Sequence, residues 1–134
     1  MVPLNSSPGA VRKFTILVVD NNDLFRKTIE QSLQMFSPTV AIEESADGGE
    51  VFGGVDAFLP DLIFMDIKLP GENGLELTKK IKTAHPDIAI SILTSNRTPE
   101  YREAALQYGA NGFLAKASLN RRELEKSVKS YQKV

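Results

Sequence analysis

Leu62 to Gly74 reads LIFMDIKLPGENG. Its first four residues are apolar, follow Pro60-Asp61, and are too few and too poorly flanked by charge for a surface helix. They predict a strand buried on both faces. That strand ends on a carboxylate, Asp66. A loop with Pro70 and Gly71 follows at once, and a helix is expected to open at about Gly74. Asp66 therefore stands where a buried strand stops and a turn begins, the rim at which open parallel α/β sheets bind their ligands. A lone aspartate at a strand end most simply caps a loop. The other apolar runs, however, close on Asp20, Thr94 and Lys116, and four polar strand ends of different kinds make a candidate site.

Working outward, Phe14 to Val19 predicts a first strand, and Phe25, Ile29, Leu33 and Phe36 then recur at helical spacing up to Ser37-Pro38. Asp23 falls at the start of that helix, where a carboxylate meets the positive end of the dipole. Val40 to Glu43 predicts a second strand. The helix after it, Gly49 to Phe58, places Val51, Phe52, Val55 and Phe58 on one side. Gly53-Gly54 lies inside it at about 1 kcal/mol per glycine, so a short or irregular helix is expected. A third helix, Gly74 to Ala84, carries Leu75, Thr78 and Ile81 on one side, with Leu77 and Ala84 flanking. Ile88 to Leu93 predicts the fourth strand, and Thr98-Pro99-Glu100 a helix start. That helix, with Tyr101, Ala104, Ala105 and Tyr108, stops at Gly109 as a left-handed cap. Gly112 to Ala115 predicts a fifth strand. The last helix is capped by Asn120 with Glu123 and buries Leu124, Val128 and Tyr131, its three lysines forming a solvated face. Strands alternating with helices through short connections predict one α/β domain with a parallel sheet. Residues 1–12, with two prolines and no periodicity, read as a flexible tail ahead of a domain over 13–134.

The chain of 134 residues, 42% hydrophobic and 25% charged, is long enough for one sizeable core. Sixteen basic against seventeen acidic residues leave a net charge of −1, so no global charge favours nucleic acid or an acidic membrane surface. Absence of cysteine removes disulfides, thiolate nucleophiles and cysteine-ligated zinc and fits a reducing, cytoplasmic setting. His85, the single histidine, reads as a solvated cation at a helix end rather than a triad member or metal ligand. No apolar run approaches the roughly 20 residues of a membrane span, and the N-terminus lacks the pattern of a secretory signal.

From Lys13 onward the chain resembles the receiver domains of two-component response regulators. The resemblance is carried by ILVVD ending at Asp20, FMDIKLPGENGLEL around Asp66, SILTS with Thr94, and YGANGFLAK with Phe113 and Lys116, in the family's order and spacing. It implies a flavodoxin-like (βα)5 three-layer sandwich, its parallel sheet in the order 2-1-3-4-5. By resemblance Asp66 is the phosphoacceptor, taking a phosphoryl group from a histidine kinase or a histidine phosphotransfer protein. Mg²⁺, with Mn²⁺ as a substitute, is expected on Asp20, Asp66 and the backbone carbonyl of Lys68, with Asn21 a further candidate ligand. Lys116 is expected to pair with phosphoryl oxygens, Thr94 to donate its hydroxyl to one, and Phe113 to report the change as an aromatic switch. The switched surface would be that of the fourth helix, fifth strand and fifth helix. A downstream protein or output domain would read it, with homodimerisation on phosphorylation and no nucleic-acid or membrane contact by this chain. Such a protein is a signalling phosphoacceptor with intrinsic self-phosphorylation and autodephosphorylation at most, not an enzyme in the usual sense.

Two departures stand out. Receivers commonly carry two adjacent acids after the first strand, and here the second is Asn21, whose amide oxygen brings no charge. The alternative is accordingly an atypical pseudo-receiver, an interaction module that works without phosphate. Lys116 is followed by Ala117-Ser118 rather than proline, an ending that resembles receivers joined to helix-turn-helix output domains. A phosphatase of the haloacid dehalogenase type also uses an aspartate after a strand, but needs an acid two residues on, where Lys68 stands. A flavodoxin would need a hydroxyl-rich phosphate loop where the chain has Asn21-Asn22-Asp23.

Overall fold

A computed structural model describes residues 13–36, 39–95 and 99–132, with the Phe36 side chain excepted. The N-terminal tail, the Ser37-Pro38 stop, the Thr98 cap and Lys133 lie outside the described residues. The elements alternate as β1 (Thr15–Val19), α1 (Asp23–Phe36), β2 (Ala41–Ser45), α2 (Gly48–Phe58), β3 (Leu62–Asp66) and α3 (Gly74–Ala84). β4 (Ala89–Thr94), α4 (Pro99–Gln107), β5 (Gly112–Ala115), a 3-10 turn over Lys116–Ser118 and α5 (Arg121–Tyr131) complete them. The five strands form one sheet in the order β2-β1-β3-β4-β5, and all four pairings are parallel. This is the expected flavodoxin-like arrangement.

Strand alternation divides the core into two layers. Leu17, Val19, Ile63, Met65, Ile90 and Ile92 turn to one face and meet Val51, Val55, Leu77, Ile81 and Ala105 of α2, α3 and α4. Ile16, Val18, Leu62 and Phe64 turn to the other and meet Ile29, Leu33, Leu124 and Val128 of α1 and α5. Leu62, Ile63, Phe64 and Met65 of β3 are all fully buried, each contributing about 1.5–3 kcal/mol relative to exposure. That burial on both faces is why an unbroken apolar run forms the middle strand.

Several local expectations are corrected. α2 is a continuous eleven-residue helix, not a short or irregular one. Asp47 caps it by accepting from the Gly49 N–H at 2.6 Å, and the burial of Val51 and Val55 outweighs the propensity cost of Gly53-Gly54. Phe58, expected on the buried side, is 45% exposed. In α3, Leu77 lies at the centre of the buried face with Gly74, Thr78 and Ile81, while Leu75 only borders the core and Ala84 is exposed. His85 is not a free solvated cation. It closes α3, and its ring nitrogen Nε2 lies 2.7 Å from Asp56 Oδ1. Two lysines, Lys126 and Lys129, fall within α5.

The loop after β3 is held by close backbone approach. A side chain on Gly74 would place its Cβ 1.9 Å from the Asp66 carbonyl oxygen, and one on Gly48 would lie 2.3 Å from that of Glu72. Gly48 N–H donates to Pro70 O at 2.8 Å, and Gly74 N–H to Ile67 O at 2.8 Å. The loop carrying Lys68 is thereby pinned between the ends of β3 and α2.

Candidate functional site

Because β1 and β3 are neighbours in register, Val19 opposite Met65, their next residues Asp20 and Asp66 emerge side by side. Asp20 is 1% exposed. Its N–H donates to Ser45 O at 3.0 Å, and its Oδ1 accepts from the Asn22 N–H at 2.9 Å. Asn22 in turn accepts from the Phe25 N–H at 2.9 Å, so it caps α1, while Asp23 stands in the first turn as expected. Asp23 is also an exposed partner of Arg26. Arg26 also donates to the Asp20 carbonyl and, at 2.9 Å, to Glu44 of β2. It thus binds the loop after β1 to the neighbouring strand. Sequence reasoning missed Arg26; its place three residues after Asp23 is the one signal that pointed to an ion pair.

Asp66 is 8% exposed. Its Oδ1 accepts from the Ile67 N–H at 2.8 Å and its Oδ2 from Lys116 Nζ at 3.3 Å. Burial, reinforced by the charge of Asp20, raises the Asp66 pKa; Lys116 and the Ile67 N–H act in the opposite direction without cancelling the shift. Lys116, which β5 delivers from the far side of the sheet, also forms an ion pair with Asp20 Oδ2. That buried oxygen has a charge beside it and no hydrogen-bond partner.

Thr94 ends β4 and is 4% exposed, facing Ala115 of β5 in register. Phe113, opposite Ile92, is half-buried against the α2–α4 layer. Asn21 and Lys68 are exposed. Topology therefore brings Asp20, Asp66 and Lys116 into contact, with Thr94 at the end of the strand next to Asp66.

Among the described residues no cluster of three or more histidine, cysteine or acidic side chains is poised to hold a metal. A hard cation nonetheless suits the donors present. Two buried carboxylates meet, one oxygen of Asp20 lacks a hydrogen bond, and a cation there would offset the like-charge repulsion raising the Asp66 pKa. Asp20, Asp66 and the Lys68 carbonyl would hold it, with water completing the shell.

Residues 16–129 match the family model described as the response regulator receiver domain. The chain is 33% identical over 103 residues to the response regulator GacA of Pseudomonas viridiflava, covering 77% of this chain and 48% of that protein. It is 31% identical over 104 residues to the transcriptional regulatory protein DegU of Brevibacillus brevis, covering 78% and 44%. Among solved structures, the CheY-like response regulator receiver domain protein of Methanospirillum hungatei JF-1 aligns with a TM-score of 0.81 at 26% identity, covering 89% of this chain and 93% of that one. The signal receiver domain of NarL from Mycobacterium tuberculosis aligns at 0.80 and 28%, covering 90% and 96%. The chain spans about half the length of the curated relatives it matches.

Proposed function

The chain belongs to the response regulator receiver domain family of two-component systems, and we propose that it accepts a phosphoryl group on Asp66 from the phosphohistidine of a kinase or phosphotransfer protein. The supporting observation is the buried meeting of Asp66, Asp20 and Lys116 at the end of the two central strands. An Asp66 carboxylate oxygen attacks phosphorus, the P–N bond to histidine breaks, and an acyl phosphate forms. Bound Mg²⁺ supplies charge neutralisation between the nucleophile and the phosphoryl oxygens.

This chain's residues do the rest. Asp66 is held by the Ile67 N–H with one oxygen, leaving the other turned to Lys116. The Lys116 ammonium balances phosphoryl charge as a point cation. Thr94 donates its hydroxyl to a phosphoryl oxygen, and the resulting inward shift of its loop favours one setting of Phe113 and of the face made by α4, β5 and α5. A coupling of about 1–3 kcal/mol is typical of such switches. A downstream protein or an attached output domain reads that face, and phosphorylation favours pairing of two copies through it. Without a second acid at position 21, Mg²⁺ binds more weakly and phosphoryl transfer is slowed.

Intact mass after incubation with acetyl phosphate or phosphoramidate, with and without Mg²⁺, tests the reading. The expected result is a gain of one phosphoryl group that requires Mg²⁺ and is absent from Asp66→Asn. No adduct, together with BeF₃⁻ leaving the Thr94 and Phe113 NMR signals unmoved, would replace it with the phosphate-independent interaction module.

A further inference from the structure

We propose that Phe25 is a positioning residue for Lys116 and sets the terms on which a cation competes for Asp20. The inference rests on the reading of Asp20 and Asp66 as the cation site. Lys116 Nζ lies 4.5 Å from the centroid of the Phe25 ring, inside the roughly 6 Å within which a ring face attracts an ammonium. The same ammonium meets Asp66 Oδ2 at 3.3 Å and Asp20 Oδ2, and the side chain is only 20% exposed. Carboxylates and ring therefore face the ammonium from two sides, and the lysine also borders a cavity between α1 and α5. An apolar neighbour of any other kind would leave the ammonium desolvated on that side without compensation.

The ring is tied to the site it serves. Phe25 N–H donates to Asn22 Oδ1, and the Asn22 N–H donates to Asp20 Oδ1, so Asn22 ties the carboxylate to the first turn of α1 that carries the ring. Phe25 packs at the edge of the α1–α5 layer. Beside it a cavity of about 190 Å³ opens between the helices, lined also by Thr28, Leu119 and Leu124. Packing thus does not wedge the ring on every side, and ring and ammonium hold one another.

The consequence follows from Asn21. With no second acid beside Asp20, the Asp20 Oδ2 that Lys116 touches is also the oxygen a divalent cation would use. By favouring the Lys116 pose, Phe25 makes the lysine a resident cation that Mg²⁺ must displace. Losing the ring face should tighten Mg²⁺ binding by about two- to tenfold, the range set by exposed to partly desolvated cation–π contacts.

The test uses the whole chain. In metal-free protein the Lys116 ε-methylene protons should resonate upfield of ordinary lysines through the ring current. Phe25→Leu should abolish that displacement and lower the Mg²⁺ dissociation constant by about two- to tenfold, while Phe25→Tyr keeps both at wild-type values. Phe25→Met is a second ring-free variant should the leucine protein not fold. A folded ring-free variant with an unchanged Lys116 signal, or with Mg²⁺ affinity unchanged or weakened, overturns the proposal. If wild-type protein binds no Mg²⁺, the reading of the site fails, and the ε-methylene signal alone decides whether the ring holds Lys116.

Discussion

The two rims of the sheet are built from similar residues and treat them in opposite ways. Where the strands begin, Asp61, Lys82, His85 and Asn111 each have partners. Asp61 accepts from the Thr15 N–H at 2.8 Å, and Lys82 Nζ donates to Pro86 O, Ile88 O and Asn111 Oδ1 at 3.0, 2.9 and 3.1 Å. Asn111 also accepts from the Ile90 N–H at 2.9 Å, and His85 meets Asp56. Where the strands end, two carboxylates are buried together around one ammonium, an oxygen lacks a hydrogen bond and the Asp66 pKa is raised. Saturated polar groups contribute to stability, whereas a crowded, under-bonded cluster subtracts from it and is kept where chemistry needs it.

Substitutions at the two rims should therefore have opposite signs. The largest effect is expected outside the polar groups, in the loop after β3, where close backbone packing decides. Gly74→Ala drives a methyl group into the Asp66 carbonyl and should cost about 3 kcal/mol in urea unfolding, at the upper end of overpacking. A neutral result would mean that the loop after β3 is free to move. Lys82→Met, which removes three charge-assisted hydrogen bonds at the first rim, should cost about 1.5 kcal/mol, near the low end for such bonds because the side chain is half-exposed and Asn111 keeps the Ile90 N–H.

Asp66→Asn should act the other way, adding about 0.5–2 kcal/mol at neutral pH without Mg²⁺. The sign follows from the raised pKa. Such a carboxyl favours folding while protonated, and that contribution is lost as the pH rises through its folded value. The advantage of asparagine should accordingly shrink in acid, and its absence at neutral pH would contradict the contrast between the rims.

The smallest effect is alkaline. Burial lowers the Lys82 pKa, against the opposing pull of Asp87, so its stabilising share is complete above the unfolded value of about 10.4 and declines as the pH falls through the folded one. The stability gap between wild type and Lys82→Met should widen slightly as the pH is raised toward that value. Asn21→Asp sharpens the contrast from the other side, since a third acid at the second rim should strengthen Mg²⁺ binding and weaken the metal-free fold, as calorimetric Mg²⁺ titration and thermal unfolding would register.

Much of this was legible in the chain itself. The apolar runs of β1 and β3, and that of β4 interrupted only by Ser91, are short and read as strands covered on both faces, and each is followed by, or ends in, a polar residue. Alternation of strand and helix then forces parallel pairing, and that places Asp20, Asp66, Thr94 and Lys116 at one rim without reference to any distance. The regularity of α2 was not legible, because the glycines that argue against it are local while Val51 and Val55 gain their burial in a core shared with α3 and one face of the sheet. Nor was the His85–Asp56 pair, whose members are 29 residues apart.

Residue type, periodicity and strand-end chemistry, all readable within a few residues of one another, determined the fold class and which groups meet at the site. Tertiary structure alone decided how they meet. It set Lys116 against Asp20 and the Phe25 ring, Arg26 across to β2, and one Asp20 oxygen without a hydrogen bond. Such contacts depend on helix rotation and rotamer choice in a close-packed interior, where no local pattern records which distant side chain fills the remaining space.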